Sequence, residues 1–129
     1  MSIISIDIGT STTKIIEYDN NKIKHKDIIQ NNNIQKVLKE FIDKNFIKLN
    51  KIEHIVLTGI GAEKEKLKNY KVPIKVVDEF KAIANAGKFL SGKDKILVAS
   101  IGTGTALIRV NKNRITHLGG TRGRCWNLN

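Results

Sequence analysis

Eight residues near the N-terminus have the types and spacing of a phosphate-binding loop. In the segment DIGTSTTK, Asp7 ends an apolar run, Gly9 follows where the backbone would approach a ligand, and Lys14 closes the segment. The Asp7 carboxylate can hold Mg²⁺, while the loop between Asp7 and Lys14 can donate hydrogen bonds to a triphosphate. The loop hydroxyls and amides belong to Thr10, Ser11 and Thr12. An ordinary β-hairpin with Asp and Gly in its turn explains the segment equally well.

A second segment rich in Gly and Thr strengthens the phosphate-loop interpretation. It follows the apolar run KILVAS and consists of Gly102, Thr103, Gly104 and Thr105. Two such turns at equivalent places in a repeat are what a phosphate clamp needs, one from each half. The sequence GTGT alone is weak evidence for a phosphate loop, because Gly and Thr are common in hairpins.

A near match to the P-loop pattern lies at 87–93, in GKFLSGK. Asp94 stands where a Ser or Thr should bind Mg²⁺, and the segment ends a helix instead of starting one. We therefore expect a helix C-terminus in which Gly92 has a positive φ.

Glu79 follows a predicted strand at 74–77 and lies on the first turn of a helix capped by Asp78. The helix dipole keeps a carboxylate ionised there, ready to accept the proton of a hydroxyl that attacks a γ-phosphate. Acidic residues are common at helix N-termini, so its position alone favours a structural role. Glu17 and Asp19, by contrast, fall near a turn and are expected to be solvated.

Composition excludes several classes of protein. The 129 residues carry 23 Lys+Arg against 12 Asp+Glu, a formal charge of +11, but 19 of the basic residues are lysines spread along the chain. Aromatics make up only 5%, so no stacking platform for nucleic acid is predicted. Cys125 is the only cysteine, and no apolar run approaches the roughly 20 residues that span a bilayer. We expect a cytoplasmic protein with neither a nucleic-acid nor a membrane partner.

Hydrophobic patterns predict an α/β chain that opens with three antiparallel strands in a mixed sheet. The predicted strands are 2–8, 14–18, 22–28, 54–59, 74–77, 95–100, 106–110 and 114–118, and the helices follow Asn33, cover 62–67 and follow Asp78. The last three strands repeat the design of the first three, which indicates a duplicated fold. The predicted domains are 1–93, an incomplete second copy at 94–121, and an atypical tail at 122–129.

Together these segments resemble the sugar-kinase/Hsp70/actin superfamily, whose two RNase H-like domains bind ATP between paired phosphate loops. Within it they resemble type II pantothenate kinases. DIGTSTTK is similar to the first phosphate loop, although Thr10 stands where a second glycine is frequent. VVDEFKAIANAG resembles the segment with the catalytic glutamate, here Glu79. SIGTGTALIRV followed by ITHLGGT resembles the second loop and its hairpin.

The resemblance implies transfer of the ATP γ-phosphoryl group to the terminal hydroxyl of pantothenate, the first step toward coenzyme A, with ATP and Mg²⁺ as cofactors. Glu79 would be the base, Asp7 would organise Mg²⁺ indirectly, and Lys14 with both loops would stabilise charge. Some relatives have an arginine just before the Gly-Gly pair, where this chain has His117. The implied substrate-contacting residues are Arg114, His117, Gly119 and Gly120. Relatives form homodimers.

The tail at 122–129 departs from this resemblance. Where relatives continue with a glycine-rich run and a helix, the tail contains two of the four arginines, the only cysteine and the only tryptophan. We hypothesise a shift of reading frame near codon 122, with most of the second domain missing. We then expect little or no kinase activity, since such kinases close two lobes around ATP. Translation of the downstream DNA tests this hypothesis, which fails if neither other frame encodes a glycine-rich loop and helix.

Two other functions stay open at the sequence level. The opening loop also resembles DIGSTTTK of the activators of 2-hydroxyacyl-CoA dehydratases, a class that needs cysteines for an iron–sulfur cluster between subunits. Only Cys125 is present. The other function is that of a non-enzymatic, basic RNase H-like module, which would bind arbitrary duplexes with a steep salt dependence.

Overall fold

The computed structural model describes residues 1–30, 33–60, 62–102 and 105–121. These residues divide into two compact units, one that ends at Val77 and one that begins at Asp78. The predicted division after residue 93 followed the sequence repeat and stays a prediction. The contacts place the boundary between the compact units earlier, because the last helix packs with the second sheet.

The first unit is built on a five-stranded mixed sheet. Its strands are β1 (Ser2–Ile8), β2 (Thr13–Asp19), β3 (Lys22–Ile29), β4 (Ile52–Gly59) and β5 (Ile74–Val76). They lie in the order β3-β2-β1-β4-β5, with β1, β2 and β3 antiparallel and β4 and β5 parallel to β1. Asn20 and Asn21 both have positive φ in the tight turn between β2 and β3, as type I′ hairpins require. The predicted opening of three antiparallel strands is therefore confirmed.

One face of this sheet is covered by helix α1 (Ile34–Lys44). The Asn33 side chain accepts a hydrogen bond from the Lys36 amide at 3.2 Å, which confirms the predicted cap. Apolar residues at helical spacing put one stripe of α1 against the sheet. The resulting core contains Ile4, Ile6, Ile8, Ile15, Ile34, Val37, Leu38, Phe41, Ile52, Ile55, Leu57 and Leu67.

The connections of the first unit differ from the prediction at one place. The predicted α-helix at 62–67 is wrong, because Lys64–Tyr70 forms a 3-10 helix instead. Its buried anchor is Leu67, and Lys71 ends it in the left-handed conformation. A further 3-10 turn at Leu49–Lys51 precedes β4. Neither segment has enough apolar residues at a 3.6-residue period to bury an α-helical stripe.

The second unit consists of helix α2 (Glu79–Ser91) on a three-stranded antiparallel sheet. The strands are β6 (Lys95–Ile101), β7 (Thr105–Asn111) and β8 (Arg114–Thr121), with β7 in the middle. Asp78 caps α2 by accepting from the Phe80 and Lys81 amides. Gly92 ends it at φ 68°, which confirms the helix C-terminus predicted for the P-loop-like segment. No helix among the described residues is long and apolar enough to cross a membrane.

Candidate functional site

The segment DIGTSTTK forms the tight connection between β1 and β2. Asp7 is the last residue but one of β1 and lies opposite Lys14 of β2. The Gly9 amide donates to the Thr12 carbonyl at 2.9 Å and closes the turn. A Cβ on Gly9 would lie 2.8 Å from that same oxygen, so no larger residue fits unless the turn opens. The hairpin and the candidate phosphate loop are thus one and the same structure.

Asp7 also lies opposite Thr58 of β4, on the other side of β1. Because directly paired residues of neighbouring strands point to the same face of a sheet, Lys14, Asp7 and Thr58 form a polar row across β2, β1 and β4. This face is opposite the one that carries Ile6 and Leu57 into the core. The row stands where the parallel strands β1 and β4 both end, the edge at which open α/β sheets bind ligands.

The end of β4 is held against β1 by backbone contacts that sequence reasoning missed. Gly59 has φ 98°, and a Cβ there would come within 2.2 Å of the Ile8 carbonyl oxygen. The Ile60 amide donates to that same oxygen at 3.1 Å. Only glycine permits this approach. The sequence signal that could have predicted this close approach is the glycine directly after the apolar residues in VLTG.

The donor set at this loop fits a divalent cation held mostly by phosphate and water. Among the residues that the structure describes, no group of three or more His, Cys, Asp or Glu side chains could hold a metal ion. Asp7 offers one half-buried carboxylate beside the loop. Mg²⁺ in phosphoryl-transfer sites commonly takes one or two carboxylates and completes its octahedron with phosphate oxygens and water.

Within the second unit, the first turn of α2 lies against β8 at His117. Glu79 is exposed on its first turn, after the Asp78 cap. The next residue, Phe80, stacks on the ring of His117, with the ring centroids 4.3 Å apart and the planes inclined by 22°. This stack fixes the first turn of α2 over β8 and places Glu79 near the strand segment that contains His117.

The other predicted residues of the second unit divide between the two ends of its sheet. Thr105 and Ala106 of β7 lie opposite Thr121 and Gly120, and Gly119 lies opposite Leu107, so the second loop and the Gly-Gly pair share one end. Gly102 is exposed just after β6 at this same end, whereas Thr103 and Gly104 lie outside the described residues.

Arg114 is not brought to this group. It pairs with Asn111 in the turn between β7 and β8, five residues before Gly119 and therefore roughly 17 Å away along the strand. The C-terminal part of α2 lies at this far end, where Lys88 Nζ donates to the Lys112 carbonyl at 3.1 Å. The second unit thus brings the helical turn that contains Glu79 to His117, two residues before Gly119, and leaves Arg114 apart.

A buried polar cluster lies elsewhere in the first unit and corrects one expectation. Glu17 is not solvated, because its residue is only 5% exposed. Ser2 Oγ donates to its Oε2 at 2.8 Å, and His25 Nδ1 lies 2.7 Å from its Oε1. Burial raises the pKa of Glu17, but these two hydrogen bonds and the Lys24 charge outweigh it and leave the pKa below its ordinary value. The Ser2 hydroxyl donates its hydrogen bond to Glu17, whereas a nucleophilic serine would donate it to the imidazole that acts as its base.

Comparison with known proteins gives the fold. No family model and no curated protein sequence matches the chain. Component A of (R)-2-hydroxyglutaryl-CoA dehydratase from Acidaminococcus fermentans matches 91% of the chain, with a TM-score of 0.71 at 17% identity. The chain has the actin-like ATPase fold. It spans 47% of the length of that dehydratase component.

Two further structures share this actin-like ATPase fold. The activator of 2-hydroxyisocaproyl-CoA dehydratase from Clostridium difficile, with bound ADPNP, has a TM-score of 0.66 at 19% identity over 91% of the chain and 45% of its own length. Lmo2764, a putative N-acetylmannosamine kinase from Listeria monocytogenes, has a TM-score of 0.65 at 16% identity over 90% and 49%. The predicted RNase H-like fold class is confirmed. Sequence identities this low establish the fold and not the function.

Proposed function

We propose that the chain binds ATP through the Asp7–Lys14 loop and belongs to an enzyme that phosphorylates pantothenate. The observation that carries the proposal is the polar row at the end of β1, where Gly9 closes a tight turn between Asp7 and Lys14. Pantothenate is proposed as the acceptor of the phosphoryl group because this loop, the Glu79 segment and the Gly102–Thr105 segment resemble those of type II pantothenate kinases. An actin-like ATPase fold supports nucleotide binding in general.

In this proposal each group has a defined chemical task. Asp7 would hold hydrated Mg²⁺, which when bound neutralises charge on the phosphates. Lys14 and the Gly/Thr loops would stabilise the charge of the transferring group. The pantothenate hydroxyl oxygen bonds to the γ-phosphorus, the bond to the β,γ-bridging oxygen breaks, and ADP leaves. The hydroxyl proton passes to the carboxylate of Glu79.

Ligand-induced thermal shift of the 129-residue protein tests the proposal. Mg·ATP and pantothenate are added separately at physiological ionic strength, where the Debye length of about 8 Å limits non-specific attraction to the basic surface. We expect each ligand at saturation to raise the melting temperature by several degrees. Asp7→Asn should abolish the shift with Mg·ATP, whereas Asp27→Asn on the edge strand β3 should keep it. A protein with no shift in Mg·ATP would contradict the proposed function.

A second candidate is an activator of 2-hydroxyacyl-CoA dehydratases, favoured by the dehydratase component and the dehydratase activator among the matched structures. A Cys₄ iron–sulfur cluster would need cysteines from several chains, because each chain has only Cys125. Anaerobic reconstitution with iron and sulfide separates the candidates. A stable cluster with a visible absorption band, together with no shift in pantothenate, would favour the activator.

A further inference from the structure

Thr58 is a buried hydroxyl for which the described part of the chain supplies no hydrogen-bond partner. Its Oγ1 is shielded from solvent and makes no hydrogen bond there. A buried polar group without a partner is costly, and native structures rarely keep one without a reason. Valine has nearly the same shape as threonine and would fill the same space without that cost.

The position of Thr58 suggests where its partner comes from. It is the last residue of β4 but one, and it lies opposite Asp7, whose strand continues directly into the Gly9 turn. Neighbouring strands are about 4.8 Å apart, so the Thr58 hydroxyl and the Asp7 carboxylate flank the same small volume at the edge of the sheet. No hydrogen bond joins the two side chains.

The backbone keeps Thr58 in this place. Gly59 is packed against the Ile8 backbone, and the Ile60 amide donates to the Ile8 carbonyl. The end of β4 therefore cannot swing away to give the hydroxyl to water without breaking this contact. A neutral donor held rigidly beside a carboxylate suits an anionic ligand whose charge a cation at Asp7 would balance.

We propose that Thr58 Oγ1 donates a hydrogen bond to the polyphosphate of the nucleotide bound at the Asp7–Lys14 loop, once the neighbouring atoms that shield this hydroxyl from solvent move aside. This inference rests on the proposed function and adds β4 as a third strand that contacts the ligand. Thr58 is a binding residue for the phosphates, and the row Lys14, Asp7, Thr58 supplies a cation, a carboxylate and a neutral donor across three strands.

Isothermal titration of the full chain with Mg·ATP and with Mg·tripolyphosphate tests this role. We expect Thr58→Val to raise both dissociation constants about tenfold, which is the effect of losing one hydrogen bond to a charged group. Thr58→Ser, which keeps the hydroxyl, should stay within a few-fold of the wild type. Ser5→Ala is the matched control, because Ser5 lies on the same face of β1 but two residues before Asp7. It should bind both ligands as the wild type does.

The stability of the variants separates binding from packing. Thr58→Val should melt at the same temperature as the wild type or higher when no ligand is present, because it removes a buried hydroxyl without a partner. The inference fails if wild type and Thr58→Val bind Mg·ATP equally well, or if the variant loses stability with unchanged affinity. If the wild type binds neither polyphosphate, the proposed function and this inference fail together.

Discussion

Glu17 is a charged residue whose contribution to stability depends on pH. Its pKa in the folded protein lies below the ordinary value of 4.5. A depressed pKa means that the ionised carboxylate stabilises the fold fully above about pH 4.5 and that this contribution is lost as pH falls through the folded-state pKa. The groups that face it are Ser2, His25 and Lys24. The cluster joins β1, β2 and β3.

Glu17→Gln should therefore lower the free energy of unfolding by about 1–3 kcal/mol near pH 7, where the wild-type carboxylate accepts two hydrogen bonds. The difference should shrink below pH 4.5, because protonation removes the charge from the wild type as well. Urea unfolding between pH 3.5 and pH 7 measures it. Glu53→Gln is the control, since the Glu53 side chain is 59% exposed, and its cost should stay within about 0.5 kcal/mol. An equal cost of Glu17→Gln at both pH limits would contradict the assignment.

At the scale of elements, α2 approaches its sheet closely because residue 87 is glycine. A Cβ on Gly87 would lie 2.6 Å from Val98 Cγ2 and 3.0 Å from Ile96 Cδ1, both on β6. Glycine is otherwise unfavourable inside a helix by roughly 0.5–1 kcal/mol relative to alanine. The helix thus gives up intrinsic stability in exchange for close packing on β6.

Gly87→Ala should destabilise the second unit by about 1–3 kcal/mol, because overpacking outweighs the gain in helix propensity. Asn85→Ala, at an exposed position of the same helix, should leave stability unchanged or raise it slightly. Thermal melting followed by circular dichroism compares them. Val98→Ala in the Gly87→Ala background should recover part of the loss. A stabilised Gly87→Ala protein would show that α2 lies further from β6.

The elements also show what the sequence could and could not predict. Period-2 runs and caps such as Asn33 and Asp78 are local signals, so the strands and the two capped α-helices were placed within a few residues. The role of Thr58 depends on the parallel register of β1 and β4, which connects residues about 50 positions apart and leaves no local pattern. Glu17 was misjudged for the same reason, because Ser2 and His25 reach it only once three strands have paired.

For the whole molecule, the two units differ in the size of their cores. Within the described residues, twelve buried apolar side chains form the core of the first unit, whereas Ala84, Ile108 and Val110 form that of the second. The face of the second sheet away from α2 leaves Leu97 63% and Ile101 79% exposed. Full burial of an apolar side chain is worth about 1.5–3 kcal/mol, so hydrophobic burial stabilises the second unit against opening much less than it stabilises the first.

Hydrogen exchange of the full chain should therefore reveal two levels of protection. Strands β1 and β7 are the proper comparison, because each is hydrogen-bonded on both sides and neither is an edge. We expect the amides of β7 to exchange at least about tenfold faster than those of β1, because local opening of the second unit exposes fewer apolar groups. Mass spectrometry of peptides that cover Ser2–Ile8 and Thr105–Asn111 measures this. Equal protection of the two strands would mean that both units open in one cooperative step, and that the small core of the second unit does not set its stability.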